Sequence, residues 1–439
     1  MSNRRLILVE LNEVNLDVAR SYVPKLGLKH FEQLLSAGVR RTSSESEYEQ
    51  LEPWIQWVSA HSGLTAAEHA IFRLGDIVGS GVPQIFEQVE AAGLSVGAVS
   101  PMNTENRLRS PAYFIPDPWT RTPTDGSGWS RRLWTAISQA VNDNSSGRIT
   151  AGSAFALACG LLRFAQPRHY DLYLSLLRRS RGAPWRKALF LDLFLHDLHV
   201  RLYGRHRPNF STLFLNAGAH IQHHYFFNGK LDRPVAQRNP AWYIDPSADP
   251  IAEMLQVYDA ILGDYLRLPD ASLLVATGLT QVPYERVTFY YRLKDHAAFL
   301  RMLGIRHVRV LPRMTRDFVI EFADAADAAS AQRSLSALRF AHDGELLFAE
   351  IDNRGDSLFV TLTYPNEIEA SALVEGAAAP FLLAGHVVFV AIKNGMHAAH
   401  GYVCGVGEVT PYLPAEGDHV KELNRTLQRF FALVPGAAE

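Results

Sequence analysis

The chain has 439 residues, 47% of them apolar and 20% charged, with a formal net charge of -2. That composition can bury a large core and excludes a disordered chain, while the lack of basic excess excludes nucleic acid as the expected partner. Cys159 and Cys404 are the only cysteines, which excludes a disulfide framework and suits a reducing compartment. The basic start Met1–Arg5 is followed by an apolar run that Glu10 interrupts, too short for a signal peptide. The apolar stretch from Ala154 to Leu162 is also far below the roughly 20 residues that span a bilayer, so the expected location is cytoplasmic.

Arg5 to Leu11 reads as a buried strand, with Asn12 and Glu13 where it ends. Helical patterns follow at Phe31 to Ala37, Pro53 to His61 and Val82 to Ala92, then a strand at Ser95 to Ser100. Ser211 to Ala217 and Ser272 to Thr277 read as further strands flanking a helix from Ile251 to Leu266. Strands alternating with amphipathic helices imply an α/β fold, a mostly parallel sheet sandwiched by helices. Two stretches break the rhythm. Residues 125–207 are helical and basic, with ten Lys/Arg against three Asp between Arg163 and Arg207, and read either as a solvated cap whose arginines pair with acidic neighbours or as a lid that attracts an anionic substrate or a membrane surface. Residues 285–375 suggest a small α+β subdomain, and Val387 to Ile392 is expected to rejoin the main sheet. The core is thus expected in 1–124, 208–284 and 376–439.

Four constellations could carry chemistry. Glu10-Leu11-Asn12-Glu13 puts two carboxylates and an amide at a strand end, costly to bury without partners. Glu52 precedes Pro53 at a helix start, a place that suits either a plain cap or a group facing an anionic ligand; His61 and His69 follow it. His220, His223 and His224 lie directly after a strand, and imidazoles are common ligands of zinc, iron and manganese. His397 and His400 lie near the C-terminus in MHAAHGY.

The order of these segments resembles the type I phosphodiesterase and nucleotide pyrophosphatase branch of the alkaline phosphatase superfamily. LILVELNEVN (Leu6 to Asn15) looks like that family's first metal motif, with Asn12 or Glu13 in place of its aspartate. PWIQWVSAHSGLTAAEHA (Pro53 to Ala70) looks like its nucleophile helix, Ala219 to His223 like its Asp-x-x-x-His pair, and His400-Gly401 like its last ligand. The sequence departs from the family where Gly278-Leu279 replaces an Asp-His pair and where no hydroxyl stands at Glu52 or Pro53. The resemblance implies an alkaline-phosphatase-like core and a hydrolase or transferase acting on a phosphate or related ester. A small-molecule or glycan-linked anion is the implied substrate.

One divalent metal site rather than two is expected, zinc or manganese, with Glu13, Asn12, His220, His223 and His400 as ligands. Glu52, His61 and His69 are the expected catalytic residues, and Arg73, Asn103 and Arg316 the expected substrate contacts. ELNE followed by EPWIQW and FRLGD also looks like superfamily members met in bacterial surface-polysaccharide gene clusters. The competing expectation is a catalytically degenerate protein of this fold that binds a sugar-phosphate or a partner.

Overall fold

The computed structural model describes residues 4–142, 149–232, 235–313 and 316–433. Two compact units emerge. The first comprises Met1–Val235, Ala241–Pro283 and Gly395–Glu439. It is built on a seven-stranded sheet of β1 (Leu6–Leu11), β2 (Val39–Ser43), β3 (Val96–Val99), β4 (Tyr113–Ile115), β5 (Phe210–Leu215), β6 (Ser272–Ala276) and the strand His400–Val406. Their spatial order is β2, His400–Val406, β6, β1, β5, β3, β4. β1 pairs in parallel with β5 and β6, and β3 with β5 and β4, while His400–Val406 runs antiparallel to β2 and β6. The sheet is therefore mostly parallel, as the alternation of elements implies.

Helices α1 (Leu16–Leu26) and α2 (Lys29–Ser36) follow β1; α3 (Pro53–Ser62), α4 (Ala66–His69) and α5 (Ile85–Ala91) lie between β2 and β3. The basic insertion supplies α6 (Gly128–Asn142), α7 (Ala151–Phe164), α8 (Tyr170–Arg178) and α9 (Trp185–His206), and α10 (Ala217–Tyr225) and α11 (Pro250–Leu266) separate β5 from β6. β1 shows why its first four residues, Leu6 to Val9, are all apolar. Leu6 and Leu8 enter a core with Trp57 of α3 and Phe86 of α5, while Ile7, Val9 and Leu11 enter another with α1, α9 and α11. A strand buried on both faces has no position at which water would favour a polar residue. Among the described residues no helix is long and apolar enough to cross a membrane.

The second unit, Ala236–Pro240 and Tyr284–Asn394, has a four-stranded antiparallel sheet of Arg309–Pro312, Asp317–Glu321, Ser357–Thr361 and Glu350–Asn353, with helices His296–Met302 and Ala325–Ser336. One expectation is corrected here. Val387–Ala398 does not rejoin the main sheet but pairs with Thr280–Leu293 in a two-stranded ribbon. Its residues are only intermittently buried, whereas His400–Val406 is buried along most of its length. Glycine helps the latter in: a Cβ at Gly401 would stand 2.5 Å from the Gly278 carbonyl.

The insertion is tied to the core by buried polar groups. Asp192 of α9 accepts from the amides of Ala217 (2.8 Å) and Asn216 (3.3 Å), satisfying orphan donors at the start of α10. His199 places its ring nitrogens 2.7 Å from Ser211 Oγ and 2.7 Å from Tyr265 Oη. Burial, with a smaller push from His196, lowers its pKa to about 3 from an ordinary value of 6.5. A depressed histidine contributes stability that is full above about 6.5 and lost as pH falls toward the folded value. Melting temperature should thus fall steadily between about pH 6.5 and about pH 4, and His199→Gln should flatten part of that dependence. A flat profile in wild type would contradict this account.

Candidate metal centre

Asn12 and Glu13 leave the carboxyl end of β1, which lies between its parallel neighbours β5 and β6. The carboxyl ends of parallel strands are where open α/β sheets hold ligands. Glu13 adopts φ +60°, a region that costs a non-glycine residue about 1 kcal/mol or more and persists only where the surroundings enforce it. Here its amide donates to the Thr277 carbonyl at 3.0 Å, and its own carbonyl accepts from Gln222 Nε2 at 2.8 Å. The side chain is held by Asn12 Nδ2 at 3.2 Å and Gln281 Nε2 at 2.5 Å. Backbone and carboxylate are both fixed.

Two imidazoles close on that carboxylate. His223, from the last turn of α10, puts Nε2 3.1 Å from Glu13 Oε2; His397 does the same at 3.1 Å; the two Nε2 atoms are 3.3 Å apart. Burial alone would raise the Glu13 pKa, but His397 and His223 overcome it and hold the carboxyl well below its usual range. Burial lowers His397, and Glu13, then Glu52, reverse the effect so that its net shift is upward. Three donor atoms about 3 Å apart suit ligands at about 2.0–2.2 Å from one ion, and two histidines with a carboxylate form a donor set for zinc or another transition metal. The Leu51 backbone also hydrogen-bonds His397, the kind of outer contact that orients a ligating imidazole.

The remaining expected residues fall into separate places. Asn12 is engaged on both sides of its amide, accepting from Trp57 Nε1 at 2.8 Å and donating to Asn216 Oδ1 at 2.8 Å, so it positions Glu13 and does not itself join the triad. His220 sits one turn before His223 with its ring centroid 4.7 Å from that of His224; burial and the charge of His223 lower its pKa to about 4. His400 opens the antiparallel strand opposite Ser43 and lies 3.5 Å from Tyr402 Oη. The structure brings His397 to Glu13, where the sequence motif pointed to His400.

Glu52 stands at the N-cap position of α3 without a side-chain capping bond, and its Oε2 lies 3.9 Å from His397 Nδ1. His61 and His69, by contrast, are committed internally. His61 Nε2 is 2.9 Å from Glu10 Oε1, and His69 receives the Ile71 amide at Nδ1 and lies 3.1 Å from Ser59 Oγ. Both face inward from α3 and α4, which removes them from the triad. Asn103, fully buried, staples the turn after α4: Nδ2 donates to the Trp54 carbonyl at 2.9 Å and Oδ1 accepts from the Gly75 amide at 2.8 Å. That turn presents Arg73 to solvent. Arg316 belongs to the second unit, where it lies 4.3 Å from the Tyr290 ring centroid.

A second His/Asp group has metal-compatible spacing: His169, His196, Asp197 and Asp264, all buried. Its carboxylates are already saturated. Asp264 accepts from Arg168, Arg267, Gln166 and lies 2.9 Å from His196 Nε2, and Asp197 accepts from Gln166, Tyr173 and lies 2.7 Å from His169 Nδ1. A cation entering there would displace two guanidinium contacts. The group reads as a clamp between the insertion and α11. At position 278, where the family resemblance implies a ligand, Gly278 has φ +71° and a Cβ would stand 3.0 Å from the Trp57 ring. A side chain there would displace the indole that holds Asn12.

No family model and no curated protein sequence matches the chain. Among solved structures it is similar to phosphonoacetate hydrolase from Sinorhizobium meliloti 1021, at 14% identity and a TM-score of 0.42 over 98% of this chain and 96% of that one. It is likewise similar to murine ectonucleotide pyrophosphatase/phosphodiesterase 5, at 11% identity and 0.42 over 99% and 97%. A third similar structure is the alkaline phosphatase of the Antarctic bacterium TAB5, at 10% identity and 0.39 over 98% and 97%.

Proposed function

We propose that the chain is a hydrolase of phosphate or related esters that works with one divalent metal ion, zinc or manganese, held by Glu13, His223 and His397. The observation that carries this reading is the convergence of Glu13 Oε2, His223 Nε2 and His397 Nε2 within 3.3 Å of one another at the end of the central strand. The donor set fits the ion: a carboxylate and two imidazoles leave positions open for an exchangeable group. The buried Gln281 Oε1, without a partner among the described residues, leaves one more acceptor beside the centre. When bound, such an ion supplies Lewis-acid polarisation of an ester oxygen.

The chain's own residues have distinct tasks. The N-terminal end of α3, where Glu52 stands beside His397, carries the positive end of the helix dipole, which favours an anionic group there. Arg73, exposed on the turn that Asn103 staples to Trp54, is the cation we assign to the rest of the anion. Glu52, half-buried beside His397, takes a proton from the attacking water, and Asn12 and Gln281 keep Glu13 in place. Glu52→Gln should lower kcat by about 10²–10⁴ while leaving bound metal unchanged. Equal loss of metal would reassign Glu52 to the metal centre.

A second reading is favoured by one observation, the indole of Trp57 packed over Gly278, which leaves no room for a further ligand. On that reading the chain binds a sugar-phosphate without turning it over. Metal analysis of purified protein with a screen of generic phosphate, phosphonate and sulfate esters separates the two. A stoichiometric ion with turnover supports the first. Binding without product at any metal supports the second.

A further inference from the structure

The outward faces of α7 and α8 are built the wrong way round for a helix in water. From Ala151 to Leu162, α7 has no charged residue. Ser153, Gly160 and Phe164 face inward. A Cβ on Gly160 would stand 2.7 Å from Leu133 and 3.0 Å from Phe194, so α7 packs closely on α6 and α9. Ala151, Phe155, Ala158 and Leu162, spaced i, i+4, i+7, i+11, form the exposed stripe, with Phe155 71% and Leu162 84% exposed. On α8, Tyr170, Leu174 and Leu177 repeat the pattern at 49%, 45% and 61%. A solvated helix would put its polar residues on that face. Two such stripes on one insertion mark an interaction surface.

Charge says what covers it. Residues 151–182 hold five arginines (163, 168, 178, 179 and 181) and one acid, Asp171. Arg168 and Arg179 reach Asp264 and Glu253, and Arg163, Arg178 and Arg181 have no acidic partner among the described residues. Directly after Leu162, Arg163 lines a cleft of about 470 Å³ with the exposed Arg201, Arg205 and His206. The single carboxylate in its lining, Asp125, already accepts from two backbone amides and Ser130. Apolar stripes rimmed by arginine match an anionic lipid surface, with the side chains entering the acyl boundary and the guanidiniums at the phosphates. A second copy would bring arginines against arginines. At 14 residues, α7 is about 21 Å long, short of the roughly 30 Å hydrocarbon core, and its inner face is occupied, so it lies in the plane of the surface.

We propose that α7 and α8 form a peripheral docking surface for anionic membranes, with the Arg163/Arg201/Arg205 cleft receiving a lipid phosphate. The test is sedimentation of the full chain with vesicles of neutral phosphatidylcholine alone or with anionic phosphatidylglycerol. The expected result is binding to anionic vesicles that weakens with salt. Phe155→Glu/Leu162→Glu should reduce the partition coefficient at least about ten-fold, and Arg201→Glu/Arg205→Glu about five-fold or more per arginine. All these side chains are exposed, and an unchanged melting temperature verifies folding. Binding that ignores the Phe155/Leu162 pair overturns the proposal, as does absence of binding to anionic vesicles. Light scattering that shows a dimer broken by Phe155→Glu would assign the surface to a second copy instead.

Discussion

Replacing His397 with alanine is expected to abolish the proposed metal binding and to lower the proposed turnover of a phosphate ester by at least about 100-fold. His397 supplies one of three donors, its Nε2 3.1 Å from Glu13 and 3.3 Å from His223, and two remaining donors hold a divalent ion poorly. His223→Ala should behave alike. His400→Ala is the informative companion, because the sequence motif favours His400 and the geometry favours His397. Metal content measured on all three variants decides: loss confined to His400→Ala would reject the triad. Folding can be followed independently by melting temperature, since His397 is not in the apolar core.

The second large effect concerns stability. Glu10 is fully buried near the carboxyl end of β1 and His61 is 1% exposed. They form a 2.9 Å pair, reinforced by Thr212 Oγ1 donating to Glu10 at 2.8 Å and Thr104 Oγ1 at 3.2 Å from His61 Nδ1. The other Glu10 oxygen has no partner among the described residues. His61→Ala would leave a carboxylate in the core with one neutral donor, and removing one member of a buried pair costs about 3–5 kcal/mol. Glu10→Met with His61→Leu should recover most of that, because a buried pair replaced by apolar groups of similar volume is often neutral. Urea unfolding of the two single variants and the double measures the coupling. Strictly additive losses would mean the two residues do not act as a pair.

These two experiments mark where sequence reading stops. His61, His69, Glu52 and Glu10 look alike as ionisable residues near a family motif. Their roles diverge because α3 presents His61 to the sheet and leaves Glu52 at its open N-terminus. Asn103 was expected to touch substrate, but as a buried amide it staples a turn. His397 and His400 are three residues apart, and the end of the ribbon strand decides which one turns to Glu13. No spacing rule carries that information, since the deciding register belongs to the pairing of distant strands. The expected return of Val387–Ile392 to the main sheet failed for a related reason: an apolar run signals a strand but not its partner.

By itself the sequence determined the alternation of strands and helices, the apolar start of β1 from Leu6 to Val9, the polar ELNE at its end and the basic helical insertion. Each follows from local composition, because burial on two faces demands an apolar run and a strand end beside a crevice tolerates carboxylates. Only the tertiary structure decided which side chains converge. Glu13, His223 and His397 are separated by up to 384 positions, and the parallel pairing of β5 with β1 and the antiparallel pairing of His400–Val406 with β6 bring their segments to one edge. It also decided that the arginine-rich insertion turns an apolar stripe outward. The sequence shows the charges, but which side of α7 meets water depends on how α6 and α9 pack against its glycine.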